Sequence, residues 1–132
     1  MILVDTSIWV QFLGRKPHDF PGELLLRCAT CGPILQEILQ GLRTGPAAQE
    51  FRGALMALPR LGDPVELHNF LEAAEIYSHG RRKGFTIHSS TDCLIAAIAI
   101  KNKVPVWHRD RDFETISKFT NLETLSASRL LN

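Results

Sequence analysis

Residues 89–114 read SSTDCLIAAIAIKNKVPVWHRDRDFE, and the middle of this stretch is as apolar as any segment of the chain. Ser89-Ser90-Thr91-Asp92 supplies capping side chains ahead of an apolar helix over Cys93 to Ile100, which Asn102 ends. The short run Val104-Pro105-Val106-Trp107 then has the length and composition of a buried strand, and Phe113 to Phe119 forms a further helix. Helix, strand and helix in such close succession indicate an α/β chain. The acids are the unexpected part, because Asp92 precedes the apolar helix while Asp110 and Asp112 follow the strand, and a fold alone does not require both.

The rest of the chain repeats the alternation. MILV is a short buried strand that delivers Asp5 at its carboxyl end, and Asp5 or Ser7 caps a helix over IWVQFL. Gly14 to Gly22 is a loop with two prolines, and ELLLRCATC is ambiguous between helix and strand. Pro33 opens a helix with Glu37 between apolar neighbours, Ala47 to Leu58 is another, and Leu58 to Leu61 is a short strand. A long helix runs from Pro64 into Arg81-Arg82-Lys83, and Leu122 to Leu125 is an edge strand. Strand-sized runs separated by helices favour a mainly parallel sheet with helices on both faces, because parallel strands need long crossovers.

Composition narrows the function classes. With 132 residues, 45% hydrophobic, 22% charged and a formal net charge of +1, the expectation is one globular domain over 1–132 that is not polybasic, so any nucleic-acid site must be local. No apolar run reaches the roughly 18 residues needed to span a bilayer, and Asp5 interrupts the N-terminus before a secretory core forms; a cytoplasmic location with no membrane partner is expected. The three cysteines, Cys28, Cys31 and Cys93, lack the second pair that a structural zinc would need and read as small buried thiols.

In a parallel sheet, ligands sit beyond the carboxyl ends of the strands, where Asp5, Asp92, Asp110 and Asp112 can all converge. Carboxylates forced together repel one another and call for cations. Hard oxygen ligands suit Mg²⁺ or Mn²⁺, and a pair of such ions about 3.5 to 4 Å apart can drive in-line phosphodiester hydrolysis. Each acid also has an ordinary reading. Asp5 and Asp92 serve as helix caps, Glu37 is solvated or paired with Arg43, and Asp110 and Asp112 alternate with Arg109 and Arg111 in a mixed-charge turn.

MILVDTSIWV, ILQEILQGL, STDCLIAAIA and VPVWHRDRDFETI, in this order and over nearly the whole chain, resemble the PIN domains of VapC-type toxins. The resemblance implies a three-layer α/β/α sandwich with a mainly parallel central sheet. It places a catalytic acid set at Asp5, Glu37, Asp92 and Asp110, with Asp112 as a supporting or alternative member, Asp5, Asp92 and Asp110 as metal ligands, and Ser7 as the supporting hydroxyl. It also implies a Mg²⁺-dependent ribonuclease, with Mn²⁺ able to substitute, that forms a homodimer and is silenced by a VapB-like antitoxin. Arg81, Arg82, Lys83, Arg109, Arg111 and Lys118 are then candidates for gripping RNA phosphates, against the plain alternative of a solvated rim. The chain departs from the family pattern in two places: Asn102 and Lys103 stand where Gly is common before the strand, and His108 where Thr is common.

Trp9, Phe12 and the long helix from Pro64 offer apolar surface beyond what a small sheet covers, which also favours a homodimer. Three rivals are weaker. A histidine-based ribonuclease would need a matched pair among His18, His68, His79, His88 and His108, and no paired motif exists. An aspartyl phosphatase would want a second Asp where Ser7 stands. A catalytically silent PIN-like scaffold that binds RNA or a partner has no use for so many clustered carboxylates.

Overall fold

The computed structural model describes residues 1–13 and 20–126. Part of the expected Gly14 to Gly22 loop therefore lies outside the described residues. The chain opens with β1 (Ile2–Val4), α1 (Thr6–Trp9) and a 3-10 turn over Val10–Phe12. It continues through α2 (Gly22–Leu25), β2 (Cys28–Cys31), α3 (Gly32–Gly41), α4 (Pro46–Met56), β3 (Arg60–Leu61) and α5 (Leu67–Arg82). The last elements are α6 (Ser90–Asn102), β4 (Val106–His108), α7 (Arg111–Ser117) and β5 (Thr124–Ser126).

The five strands form one sheet in the order β3-β2-β1-β4-β5, and every pairing is parallel. Ile2 lies opposite Cys28 and Val4 opposite Trp107, so β1 is the central strand. Its three residues are all buried, as the fully apolar composition of a strand covered on both faces requires. Helices on the two faces complete the expected α/β/α sandwich. Trp107, Phe113, Ile95, Ile98 and Ile116 are fully buried against the sheet. Each contributes about 1.5 to 3 kcal/mol of apolar burial.

Several local choices explain how the elements meet. α6 is buried through Ile95, Ala96, Ala97, Ile98 and Ala99, and its small residues let it lie close to both the sheet and α5. α5 makes its own close approach at Gly80, where an added Cβ would stand 2.8 Å from the ring of Phe119 and 3.2 Å from Ile87. Lys103 ends α6 in the left-handed region, with φ 55°, and its N–H bonds back to Ile100. Glycine is favoured at such a helix end, which accounts for the Gly common in the family pattern at the place Lys103 takes here. The ambiguous ELLLRCATC resolves into α2 followed by β2, and all three cysteines are buried free thiols.

Two expectations need correction. Trp9 and Phe12 are not exposed apolar surface. Trp9 is 4% exposed, stacks on Phe20 at 5.2 Å and meets Phe51 edge-on, while Phe12 packs edge-on against Phe20. The apolar residues that do face outward lie on α5, where Leu67, Phe70 and Leu71 share one helix face. The second correction concerns α6, which begins at Ser90 rather than Cys93, so Asp92 is not its cap but a buried first-turn residue. Ser89 occupies the cap position without a side-chain capping bond. Among the described residues no helix is long and apolar enough to cross a membrane.

Candidate active site

β1 and β4 are neighbours in the sheet, yet the chain leaves them toward opposite edges, so the crevice for a ligand opens beyond their carboxyl ends. Asp5 is the residue after β1, and its N–H donates to Trp107 O at 3.0 Å. Asp110 follows β4 by two residues, the first turn of α6 delivers Asp92, and α3 brings Glu37. Sequence-distant acids thus reach one end of the sheet because three parallel crossovers deposit them there.

Ser7 ties two of these segments together. Its hydroxyl donates to Asp5 Oδ2 at 2.6 Å and accepts the Arg109 N–H at 3.0 Å, so one side chain braces the exit of β1 against the exit of β4. Asp5 also caps α1 by accepting the Ser7 N–H at 3.0 Å, and Asp110 caps α7 by accepting the Asp112 N–H at 2.9 Å. Capping and convergence are therefore not rival roles for these two residues, since the cap bond is what aims each carboxylate.

Among the described residues, Asp92, Asp110 and Asp112 each offer a carboxylate oxygen, and the three atoms lie within 4.8 Å of one another. Asp112 is the most fully bonded of them. It accepts the N–H of His88 at 3.0 and 3.1 Å and that of Ser89 at 2.9 Å, and His88 Nδ1 lies 3.1 Å from its Oδ1. These bonds lash the turn before α6 to α7 and so place Asp92. No residue pattern could have revealed the His88 and Ser89 contribution, because it is made mostly by backbone N–H groups.

The electrostatics separate the acids. The pKa of Asp92 is raised to about 9, first by burial and then by the charges of Asp110 and Asp5. Burial likewise raises Asp5, against the bonds from Ser7, and raises Glu37, which also feels Asp5 and Asp110. Asp112 moves the other way: burial would raise it, but the bonds from His88 and Ser89 outweigh that and hold it below the ordinary value. Three acids are thus held in a state that resists ionisation, as expected where opposite charge is missing.

The donor set fits a hard divalent cation. Asp92 Oδ2 and Glu37 Oε1 are buried with no hydrogen-bond partner among the described residues, an expensive arrangement unless something electropositive faces them. The group is all oxygen, which suits Mg²⁺ or Mn²⁺ and not a soft metal.

The basic candidates sit around this end unevenly. Arg109 and Arg111 are exposed on either side of Asp110. Arg81, Arg82 and Lys83 are exposed at the end of α5, a few residues before His88; Arg82 pairs with Glu75 at 2.8 Å, and Arg81 lies 6.0 Å from the Tyr77 ring centre. Lys118 follows the last turn of α7, about 12 Å along the helix from Asp110, and is not gathered with the others.

A PIN domain model matches residues 2–119. Ribonuclease VapC11 of Mycobacterium tuberculosis (strain ATCC 25618 / H37Rv) is 37% identical over 135 aligned residues, covering 96% of this chain and 98% of the relative. VapC ribonuclease Mb1587 of Mycobacterium bovis shows the same identity and coverage. Among solved structures, DNA-bound VapBC from Salmonella typhimurium superposes with a TM-score of 0.73 at 16% identity, covering 96% of this chain and 97% of that one. VapBC2 from Rickettsia felis, bound to a promoter DNA fragment, gives 0.68 at 18%, covering 96% and 98%. The family match, the near full-length relatives and the acids at the sheet's switch point agree, and the chain belongs to the PIN domain family.

Proposed function

We propose that this chain is a Mg²⁺-dependent endoribonuclease and the toxin of a VapBC-like toxin–antitoxin pair. The observation that carries this reading is the group of buried and half-buried, partly unpartnered carboxylates at the sheet's switch point, in a chain whose relatives are named ribonucleases. Asp5, Asp92 and Asp110 would hold the cation, with Glu37 at the edge of the group. Bound there, Mg²⁺ or Mn²⁺ supplies charge to the scissile phosphate and lowers the pKa of a water. The residues do the positioning: Ser7 sets the angle of Asp5, and Asp112 fixes the turn that presents Asp92. Arg109 and Arg111 beside the site, and Arg81, Arg82 and Lys83 near it, take the RNA phosphates.

The whole of 1–132 acts as one cytoplasmic nuclease domain. The outward face of α5, with Leu67, Phe70 and Leu71, supports a homodimer. Toxin–antitoxin complexes among the structural neighbours support an antitoxin partner, and an inserted Arg or Lys would satisfy the same acids that a cation satisfies. The test is cleavage of a single-stranded RNA by the purified protein with Mg²⁺, with Mn²⁺ and with excess EDTA. Cleavage is expected only with the ions, and full activity in EDTA would overturn the metal mechanism.

A further inference from the structure

His108 is the last residue of β4, only 3% exposed, and two residues ahead of Asp110. Both of its ring nitrogens are engaged. The Asp110 N–H donates to Nδ1 at 3.0 Å, and Nε2 lies 2.9 Å from Glu114 Oε1. A backbone N–H can only donate, so Nδ1 must present its lone pair and the ring proton must sit on Nε2, where it donates to Glu114. Glu114 is fixed in turn, because the same oxygen accepts the Thr124 hydroxyl of β5 at 2.9 Å. The ring also packs beside the fully buried Phe113, with centroids 5.3 Å apart and the planes tilted by 50°.

The chain Thr124, Glu114, His108 thus ends on the main chain of Asp110. On its other side the Asp110 carboxylate accepts the Asp112 N–H at 2.9 Å. One bond fixes where the residue's backbone stands and the other fixes which way its carboxylate turns. Loss of the first frees the loop between β4 and α7 to shift Asp110 away from Asp5 and Asp92.

We infer that His108, oriented by Glu114 and Thr124, is a positioning residue that sets the affinity of the acid group for its divalent cation by fixing the main chain of Asp110. The inference rests on the proposed role of Asp110 in holding a cation. Outer partners of this kind typically change metal affinity or activity by about 10- to 100-fold. A buried histidine that merely fills space would do neither.

Two isosteric variants separate the roles. In His108→Asn the amide oxygen falls near the Nδ1 position and keeps an acceptor for the Asp110 N–H. In His108→Gln the amide nitrogen falls near Nε2, keeps a donor for Glu114 and leaves the Asp110 N–H without its acceptor. Both shrink a buried side chain, so both will melt earlier and stability alone cannot decide. The readouts are Mn²⁺ affinity by calorimetry, and kcat and KM for RNA cleavage, each below the lower melting temperature. Gln is expected to weaken Mn²⁺ binding by about 10-fold or more and to lower kcat with little change in KM, while Asn, which keeps the acceptor and loses only the Glu114 anchor, falls by no more than about threefold.

Equal loss in both variants, or loss in neither, overturns the inference. Glu114→Ala guards against a Gln variant that does not fold, because Glu114 is half exposed. It removes the same Nε2 anchor that Asn removes, so it should weaken Mn²⁺ binding by a comparable factor of about two to three, and a loss as large as that of Gln, or none, would again overturn the proposal. A wild type that binds Mn²⁺ but cuts no RNA defeats the ribonuclease reading alone, since the Asn and Gln contrast in Mn²⁺ affinity still decides this one. A wild type that binds no Mn²⁺ overturns the inference outright.

Discussion

Replacing Asp92 with Asn sets the cost of the acid group against its use. The carboxyl group is raised from an ordinary 3.8 to about 9, first by burial and then by Asp110 and Asp5. Between those pH values the unfolded chain has released the proton and the native fold keeps it. Stability of the metal-free protein therefore falls as pH rises through that window, by about 1.4 kcal/mol per pH unit for one group. At pH 7 the upper limit is about 4 kcal/mol; Asp5 and Glu37 share the pocket and part of that cost, which leaves about 2 kcal/mol to Asp92. Asn has no proton to keep and nearly the same shape. In EDTA at pH 7, Asp92→Asn should melt about 6 to 10 °C above wild type, and the gain should vanish near pH 4. With Mg²⁺ the order narrows or reverses, because only wild type gains fully from the bound ion, and RNA cleavage falls by at least about 100-fold. The assay is thermal melting at several pH values with EDTA and with Mg²⁺, beside RNA cleavage. An Asn variant that melts no higher than wild type in EDTA, or that cuts RNA at the wild-type rate, refutes the reasoning.

Three other outcomes are expected. Lys103→Gly relieves a left-handed residue at the end of α6 and should stabilise the fold by about 0.5 to 1 kcal/mol without changing cleavage; a lower melting temperature would contradict the helix-end account. Gly80→Ala drives a methyl group into Phe119 and Ile87 and should cost about 1 to 3 kcal/mol in chemical denaturation, so a silent substitution would show that α5 and Phe119 do not meet as described. Replacing Arg81, Arg82 and Lys83 together with Gln should weaken RNA binding and flatten its salt dependence, the slope falling by about 0.7 for each phosphate no longer neutralised, while leaving Mn²⁺ affinity intact; an unchanged slope assigns these residues to the solvated rim.

β1 and most of β4 were legible as short apolar runs, whereas CATC follows ELLLR without a Gly or Pro between them, which left β2 ambiguous between helix and strand. The convergence of Asp5, Asp92 and Asp110 followed from parallel topology alone, since the carboxyl end of every strand faces the same way. The start of α6 was harder to read. Ser90 and Thr91 have the chemistry of caps but stand inside the first turn, which buries Asp92 instead of leaving it at the helix entrance. Trp9 and Phe12 looked like free surface because the rings that cover them, Phe20 and Phe51, are remote enough in sequence to leave no periodic signal. The backbone donors of His88 and Ser89 that set Asp112 were invisible for a simpler reason: they carry no residue identity. His108 did stand out as a departure from the family pattern, and Glu114 lies six residues further on, but only the fold brings Thr124 beside them.

The most direct measurement is a crystal of the wild-type protein soaked in Mn²⁺ and examined by anomalous scattering. A peak about 2.0 to 2.2 Å from carboxylate oxygens of Asp5, Asp92 and Asp110 is expected, with Asp112 still bonded to the His88 and Ser89 N–H groups and not to the ion. No peak at saturating Mn²⁺, or a peak held elsewhere on the molecule, would contradict the claim that these acids are gathered to hold a catalytic cation.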